Sequence, residues 1–317
     1  FMPLPPDHPV YILYSSGTTG KPKCIVHGNA GLLVNHAKEL MLHGDVGPED
    51  RFLYFTTCGW MMWNWQASAL MTGPAVITVD GSPGYPDLNY LWQVVADEKV
   101  THYGTSARFI AGCRKAELQP AKTLDQSKLR VVFSTGSPLL PEDYDWVYTD
   151  GAPNVLLGSI AGGTDICGCF VGSTPLLPVR RGEIQCRFLG VDAVAYGDDG
   201  QPVSEGRGEL VCRQPLPSMP VSFWNATATP TSIPFRVSGP TVTSSNSPNT
   251  AAPSSTAVPT PPSTRAASES VLRKSTARWK PWPRSKTASW WGARSTATWK
   301  WFCWWFRLKA RKSPTSC

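Results

Sequence analysis

Between Tyr14 and His27 the chain reads YSSGTTGKPKCIVH, and this string holds what a polyphosphate needs. Ser15, Ser16, Thr18 and Thr19 supply hydroxyl donors, Gly17 and Gly20 let backbone N–H groups come close, and Lys23 adds a positive charge. The pattern GxxxxGK[ST] cannot be laid on it, so it is not the loop of the P-loop nucleotide-binding proteins. The bland alternative is a Ser/Thr/Gly surface loop with an incidental lysine.

The elements that must position this string follow from the apolar pattern. VYILYSS reads as a buried strand before it, and Gly28–Leu42 as a helix after it, with Leu32, Leu33, His36, Ala37, Leu40 and Met41 on one face and Gly44 at its end. FLYF, AVITV, VTHYG, LRVVFST and NVLLGS read as further strands, alternating with helices over Tyr85–Glu98, Ser106–Ala116 and Pro141–Tyr148. That alternation predicts an α/β fold, a layered domain with a largely parallel sheet, over residues 1–180. GEIQCRFLG, DAVAYG and GELVCRQP, separated by Gly-rich turns, predict a small β subdomain over 181–225.

At this point the chain resembles a known family. YSSGTTGKPK is similar to the signature loop of the acyl-adenylate-forming enzymes, which include acyl-CoA synthetases, luciferases and peptide-synthetase adenylation domains. GWMMWNW at Gly59–Trp65, STGSPL at Ser134–Leu139, GSIAGGTDICG at Gly158–Gly168 and GRGELVC at Gly206–Cys212 follow in the family's order. The resemblance covers about residues 9–225. Within the family, GSIAGGTDI with PVRRGEIQCRFLGVDAVAYGDDG looks most like the members that activate acetoacetate.

The resemblance implies an ATP-dependent ligation that uses magnesium and coenzyme A. The acid's carboxylate attacks the α-phosphorus of ATP, pyrophosphate leaves, and the acyl-adenylate passes its acyl group to the coenzyme A thiol. That first step needs charge stabilisation more than proton transfer. It further implies that Ser15–Gly20 and Lys23 hold the β- and γ-phosphates, that Gly136, Ser137 and Pro138 line the adenine, and that Ala161, Gly162, Gly163 and Thr164 follow the nucleotide. Thr164 would bond the α-phosphate, with Lys23 as the second catalytic group. Asp165 would stand where the family has a magnesium-associated glutamate; one methylene shorter, it would hold the metal through water. Read alone, Gly-Thr-Asp is a turn with a helix N-cap, and Gly136–Pro138 a strand-to-turn segment.

For the acid, the resemblance assigns Trp60, Met61, Met62, Thr135 and Gly162 to the acyl pocket, although an aromatic and Met cluster also suits plain core. Gly162 stands where acetyl-CoA synthetases carry a pocket-closing tryptophan. The missing indole leaves room for acetoacetate or a similar short acid, and Gly162→Trp is expected to remove acetoacetate use while acetate use is kept or gained.

The formal charge of +7 divides unevenly. Residues 226–317 hold fourteen Lys and Arg against Glu269 alone, whereas the first 225 residues carry more acids than bases. Nine cysteines without a CxxC pair favour free thiols in a reducing compartment over a disulfide frame or a zinc site. With no long apolar run and no signal peptide, the expectation is a cytoplasmic protein with neither nucleic acid nor membrane as partner. The opening residues enter a strand almost at once, as if the sequence began inside a domain.

After Asn225 the composition turns first to Ser, Thr, Pro and Ala and then to Trp, Arg, Lys and Ser, with no sustained period, so this low-complexity basic tail is expected to be disordered or non-native. The family's ribose-binding aspartate, hinge and small lysine-bearing domain are not legible there. Read one base earlier, Trp-Lys forces glutamate at Lys280 and Lys300, and Trp-Trp forces valine at Trp291 and Trp305. Ala266–Trp291 can then encode GGVRIGTAEIYREVEALAEVEDSVVV, which is similar to the start of the family's C-terminal domain. A one-nucleotide frameshift near Asn225–Thr227 accounts for the tail, and a chain lacking those groups is expected to be inactive or nearly so. Two alternatives stand beside this reading: a nucleotide-binding module without ligase activity, and a genuine tail that binds nucleic acid or membrane through its bases and eight tryptophans.

Overall fold

The computed structural model describes residues 2–15, 23–197, 199–203, 206–224, 242–244 and 253–254. The chain opens with an antiparallel hairpin, β1 (Pro9–Ser15) and β2 (Lys23–Gly28). Helix α1 (Asn29–Ala37) follows and runs into a π-helical turn over Lys38–His43 that ends at Gly44. Next come β3 (Arg51–Tyr54), α2 (Met61–Ala69), β4 (Ala75–Ile77), α3 (Tyr90–Asp97), β5 (His102–Ser106), α4 (Ala107–Lys115), α5 (Pro120–Thr123), β6 (Val131–Thr135), α6 (Pro141–Trp146) and β7 (Leu156–Ser159). The later strands are β8 (Ala161–Gly163), β9 (Gly168–Gly172), β10 (Cys186–Arg187), β11 (Ala193–Tyr196), β12 (Gly206–Cys212), β13 (Ser222–Phe223), β14 (Val242–Ser244) and β15 (Pro253–Ser254).

β4, β3, β5, β6 and β7 form, in that order, one parallel sheet. Apart from the edge strand β4, its short apolar runs are largely buried on both faces, as parallel strands covered by helices must be. The two-residue period of the strand sorts their side chains between two cores. Phe52 and Tyr54 of β3 and Val131 and Phe133 of β6 join the core beneath α1 and α2. Leu53 and Val132, between them in sequence, join the core built by α3, α4 and α6 around Trp92, Tyr103 and Trp146. Ser106 caps α4 by accepting a bond from Phe109 N at 3.2 Å. The remaining strands form three smaller antiparallel sheets: β1-β2-β13, β10-β9-β8 and β11-β12-β14-β15. The α/β class with a parallel core sheet and smaller β parts therefore holds.

Three local expectations are corrected. VYILYSS is buried on one face only: Val10, Ile12 and Tyr14 point outward, because β1 pairs with β2 at the surface and not inside the parallel sheet. The second half of the phosphate string, Lys23–His27, is strand rather than loop, with Ser15 paired to Lys23, and the helix then begins at Asn29, within a residue of its expected start. Of the expected α1 face, Leu33 and Met41 are exposed, while Asn35 and Glu39 are buried beside Leu32, His36 and Leu40. The inward face of this helix is half polar because it lies against backbone groups that need partners. Among the described residues no helix is long and apolar enough to cross a membrane. Nearly all of the basic tail, including its tryptophans, lies outside the described residues.

Candidate active site

In open α/β sheets ligands collect beyond the carboxyl ends of the strands, and a cavity of about 260 Å³ lies there. Three stretches far apart in sequence line it: Trp60–Met62 at the start of α2, Thr135–Pro138 after β6, and Ser159–Thr164 after β7, with Cys169 and Ile184 closing it. Gly136 turns the chain away from β6 with φ +88°, a conformation that favours glycine. Thr135 Oγ1 donates to Ile160 O at 2.7 Å and so ties the second stretch to the third. Part of the lining is aromatic and aliphatic, formed by Trp60, Met61, Met62, Ile160 and Ile184; the rest is mostly glycine and hydroxyl, and among the described residues no charged side chain lines it. Such a cavity suits a flat or short apolar group hydrogen-bonded by hydroxyls and backbone.

Every pocket and nucleotide residue expected from Trp60 to Thr164 thus meets in one place. The phosphate string does not enter this picture: Ser16, Gly17, Thr18, Thr19 and Gly20 lie outside the described residues, and Ser15 and Lys23 are described by their backbone alone. Asp165 does not line the cavity. It occupies the turn Thr164–Cys167 between β8 and β9, an antiparallel hairpin turn rather than the start of a helix. Among the described residues no three His, Cys, Asp or Glu side chains gather to hold a metal ion. Asp165 brings a single carboxylate to this turn, and magnesium bound through one or two protein carboxylates and a substrate's phosphates needs no protein cage.

Groups that the motifs did not single out lie behind the hairpin. His27 Nε2 donates to Thr164 O at 2.9 Å, and burial holds its pKa below the usual value. His36 Nε2 donates to Cys167 O at 2.5 Å, so Nδ1 is free to accept from the Ser68 hydroxyl at 2.8 Å. Burial pulls the His36 pKa down to about 4, which keeps it neutral near pH 7. Glu39 accepts from Cys169 N, Trp65 Nε1 and Asn35 Nδ2, each at 2.9 Å. Burial pushes its carboxyl up to about 7 against the opposing pull of Lys38 and these donors. Burial also raises the Cys167 and Cys169 thiols, so neither is a nucleophile at neutral pH. The signal for Glu39 was its spacing, three residues beyond His36 and four beyond Asn35 on one helix face.

The fold is a layered α/β domain with its cavity beyond the strand ends, and a family model described as "AMP-binding enzyme" matches residues 2–219. The chain belongs to that family. A similar protein is acetoacetyl-coenzyme A synthetase of Rhizobium meliloti (strain 1021), 52% identical over 225 residues that cover 71% of this chain and 35% of the relative. Acetoacetyl-CoA synthetase of Gallus gallus is 48% identical over the same share of the chain and 34% of its own length. The solved structure of acetoacetyl-CoA synthetase from Streptomyces lividans aligns with a TM-score of 0.67 and 46% identity, over 71% of this chain and 35% of that one. The chain thus spans about a third of the length of these relatives.

Proposed function

We propose that this chain carries the acid-activating part of an ATP-dependent acid–CoA ligase whose acid is acetoacetate. The supporting observation is the convergence of Trp60–Met62, Thr135–Pro138 and Ser159–Thr164 on one cavity, together with relatives named for acetoacetyl-CoA formation. In this reading Gly136–Pro138 receive the adenine, and Ala161–Gly163 run beside the nucleotide. The Thr164 hydroxyl bonds the α-phosphate oxygen as the acid's carboxylate forms its new bond to phosphorus and pyrophosphate leaves. Trp60, Met61, Met62, Thr135 and Gly162 surround the acyl group and exclude water from the mixed anhydride. Ser15–Gly20 and Lys23 hold the departing phosphates. Magnesium on those phosphates would neutralise their charge, with Asp165 as its carboxylate. Coenzyme A then takes the acyl group on sulfur and AMP leaves.

The test uses acetoacetyl-sulfamoyladenosine, a stable mimic of the acyl-adenylate, and calorimetry on the whole chain. We expect it to bind at least about tenfold more tightly than adenosine sulfamate without an acyl group, and Thr164→Ala to weaken it by about tenfold. Equal affinity for the two compounds would leave only a nucleotide-binding module. Acid-dependent release of pyrophosphate by the chain as it stands is expected to be barely detectable, because the tail supplies no legible ribose aspartate or mobile lysine. We attribute that tail to a one-nucleotide frameshift near Asn225–Thr227. Resequencing the gene through and beyond the present stop should find either a missing or extra base there or, for a frameshift carried in the gene, the family's C-terminal domain continuing in the other frame; an unaltered sequence with no such continuation would overturn the attribution.

A further inference from the structure

Two fully buried side chains one turn apart on the helix after β2 each make the same pair of connections. His36 bonds Ser68 of α2 on one side and the carbonyl of Cys167 in the β8–β9 turn on the other. Glu39 bonds Trp65 of α2 and the N–H of Cys169 in β9. The pairing runs antiparallel, the earlier residue of one helix meeting the later residue of the other. The start of α2 contributes Trp60–Met62 to the cavity lining, and the hairpin contributes Ala161–Thr164 with Cys169. We propose that His36 and Glu39 are positioning residues that set the width of the cavity, each acting as a rung between α2 and the β8–β9 hairpin.

The chemistry of the rungs supports this. Neither residue lines the cavity, so neither touches a ligand. The two carboxyl oxygens of Glu39 accept from three N–H donors, Asn35 Nδ2 and Cys169 N on Oε1 and Trp65 Nε1 on Oε2; a carboxamide would point an N–H at one of them. Gly168 makes the approach possible. A Cβ there would stand 2.8 Å from Glu39 Oε1 and closer still to Asn35 Nδ2. Asn35 in turn accepts from Lys38 Nζ at 2.8 Å, so the rung is fastened on its helix as well. A buried network satisfied in this way selects one spacing of the elements it joins.

The proposal rests on the ligase reading for its consequence, which is discrimination by acyl length. The variants are Trp65→Phe and Ser68→Ala, each cutting the α2 end of one rung. The control is Trp146→Phe, which makes the same chemical change to an indole that bonds Leu118 O at 3.1 Å in the other core. Affinities for acetoacetyl- and hexanoyl-sulfamoyladenosine and for adenosine sulfamate are measured on the full chain, with amide hydrogen exchange over residues 161–172. Each rung variant should lower the preference for acetoacetyl over hexanoyl by about fivefold, change adenosine sulfamate binding by less than about twofold, and speed exchange in the hairpin. Trp146→Phe should do none of these. A Trp65→Phe protein that behaves like the control, or weakens all three ligands alike with unchanged exchange, would overturn the rungs. If the wild-type chain binds no acyl compound, the ligase reading fails, and the exchange data alone decide whether the rungs hold the hairpin.

Discussion

Replacing Gly162 with alanine is expected to force β8 and β9 apart and to destabilise the fold by about 3 kcal/mol, the upper end of the range for overpacking a tight site. A Cβ at Gly162 would overlap the carbonyl oxygen of Gly168 and stand 2.6 Å from Cys169 Cα. These are backbone atoms of the paired strand, so no side-chain rotation relieves the contact. Alanine at the neighbouring Gly163 would meet nothing closer than 3.6 Å and should be nearly neutral. In thermal unfolding the Gly162→Ala protein should melt roughly 10 °C below Gly163→Ala. Equal melting temperatures would show that the hairpin yields easily. The same geometry changes the meaning of Gly162→Trp. An indole here cannot simply occupy the space that the resemblance assigns to it, because β9 must move first. Altered acid selectivity in that variant would therefore report a displaced hairpin as much as a filled pocket.

The second large effect is a pH dependence that two buried groups conceal from each other. The folded pKa of His36, about 4, lies below its ordinary 6.5, so the unfolded chain binds the extra proton. That stability is full above pH 6.5 and is lost as pH falls toward 4. For Glu39 the folded value, about 7, lies above its ordinary 4.5, so the folded chain binds the extra proton, and stability is full below pH 4.5 and lost as pH rises toward 7. Each term is on the order of 3 kcal/mol, and they oppose each other between about pH 4.5 and 6.5. The groups facing them are Lys38, His27, Cys167 and Cys169: burial lowers Lys38 and His27 and raises both thiols, and because all four are kept in Glu39→Gln they act on both profiles alike. Glu39→Gln removes one term. Relative to the wild type, its stability to urea should rise steadily between pH 4.5 and 7 by about 3 kcal/mol. Parallel profiles for the two proteins would mean that Glu39 titrates normally in the folded state.

What was legible follows from what each element buries. β3, β5, β6 and β7 lie in a sheet covered on both faces, so they read as apolar runs flanked by turn residues. The cavity was legible because Trp60–Met62, Thr135–Pro138 and Ala161–Thr164 sit in strings whose order is itself distinctive. The β8–β9 hairpin was not, because Ala-Gly-Gly has no strand preference of its own and is held by backbone pairing and by rungs from elsewhere. The inward face of α1 was misjudged for the same reason. Asn35 and Glu39 look like solvent-facing residues until the hairpin that needs them is in place. β2 was hidden inside the phosphate string, whose glycines and hydroxyls pointed to a loop running straight into a helix.

The most direct test of the central claim is a crystal structure of the chain with acetoacetyl-sulfamoyladenosine bound. The acyl group should lie among Trp60, Met61, Met62 and Gly162, the adenine against Gly136–Pro138, and the sulfamate beside the Thr164 hydroxyl. A ligand bound elsewhere, or one whose acyl end points away from Trp60–Met62 into solvent, would contradict it.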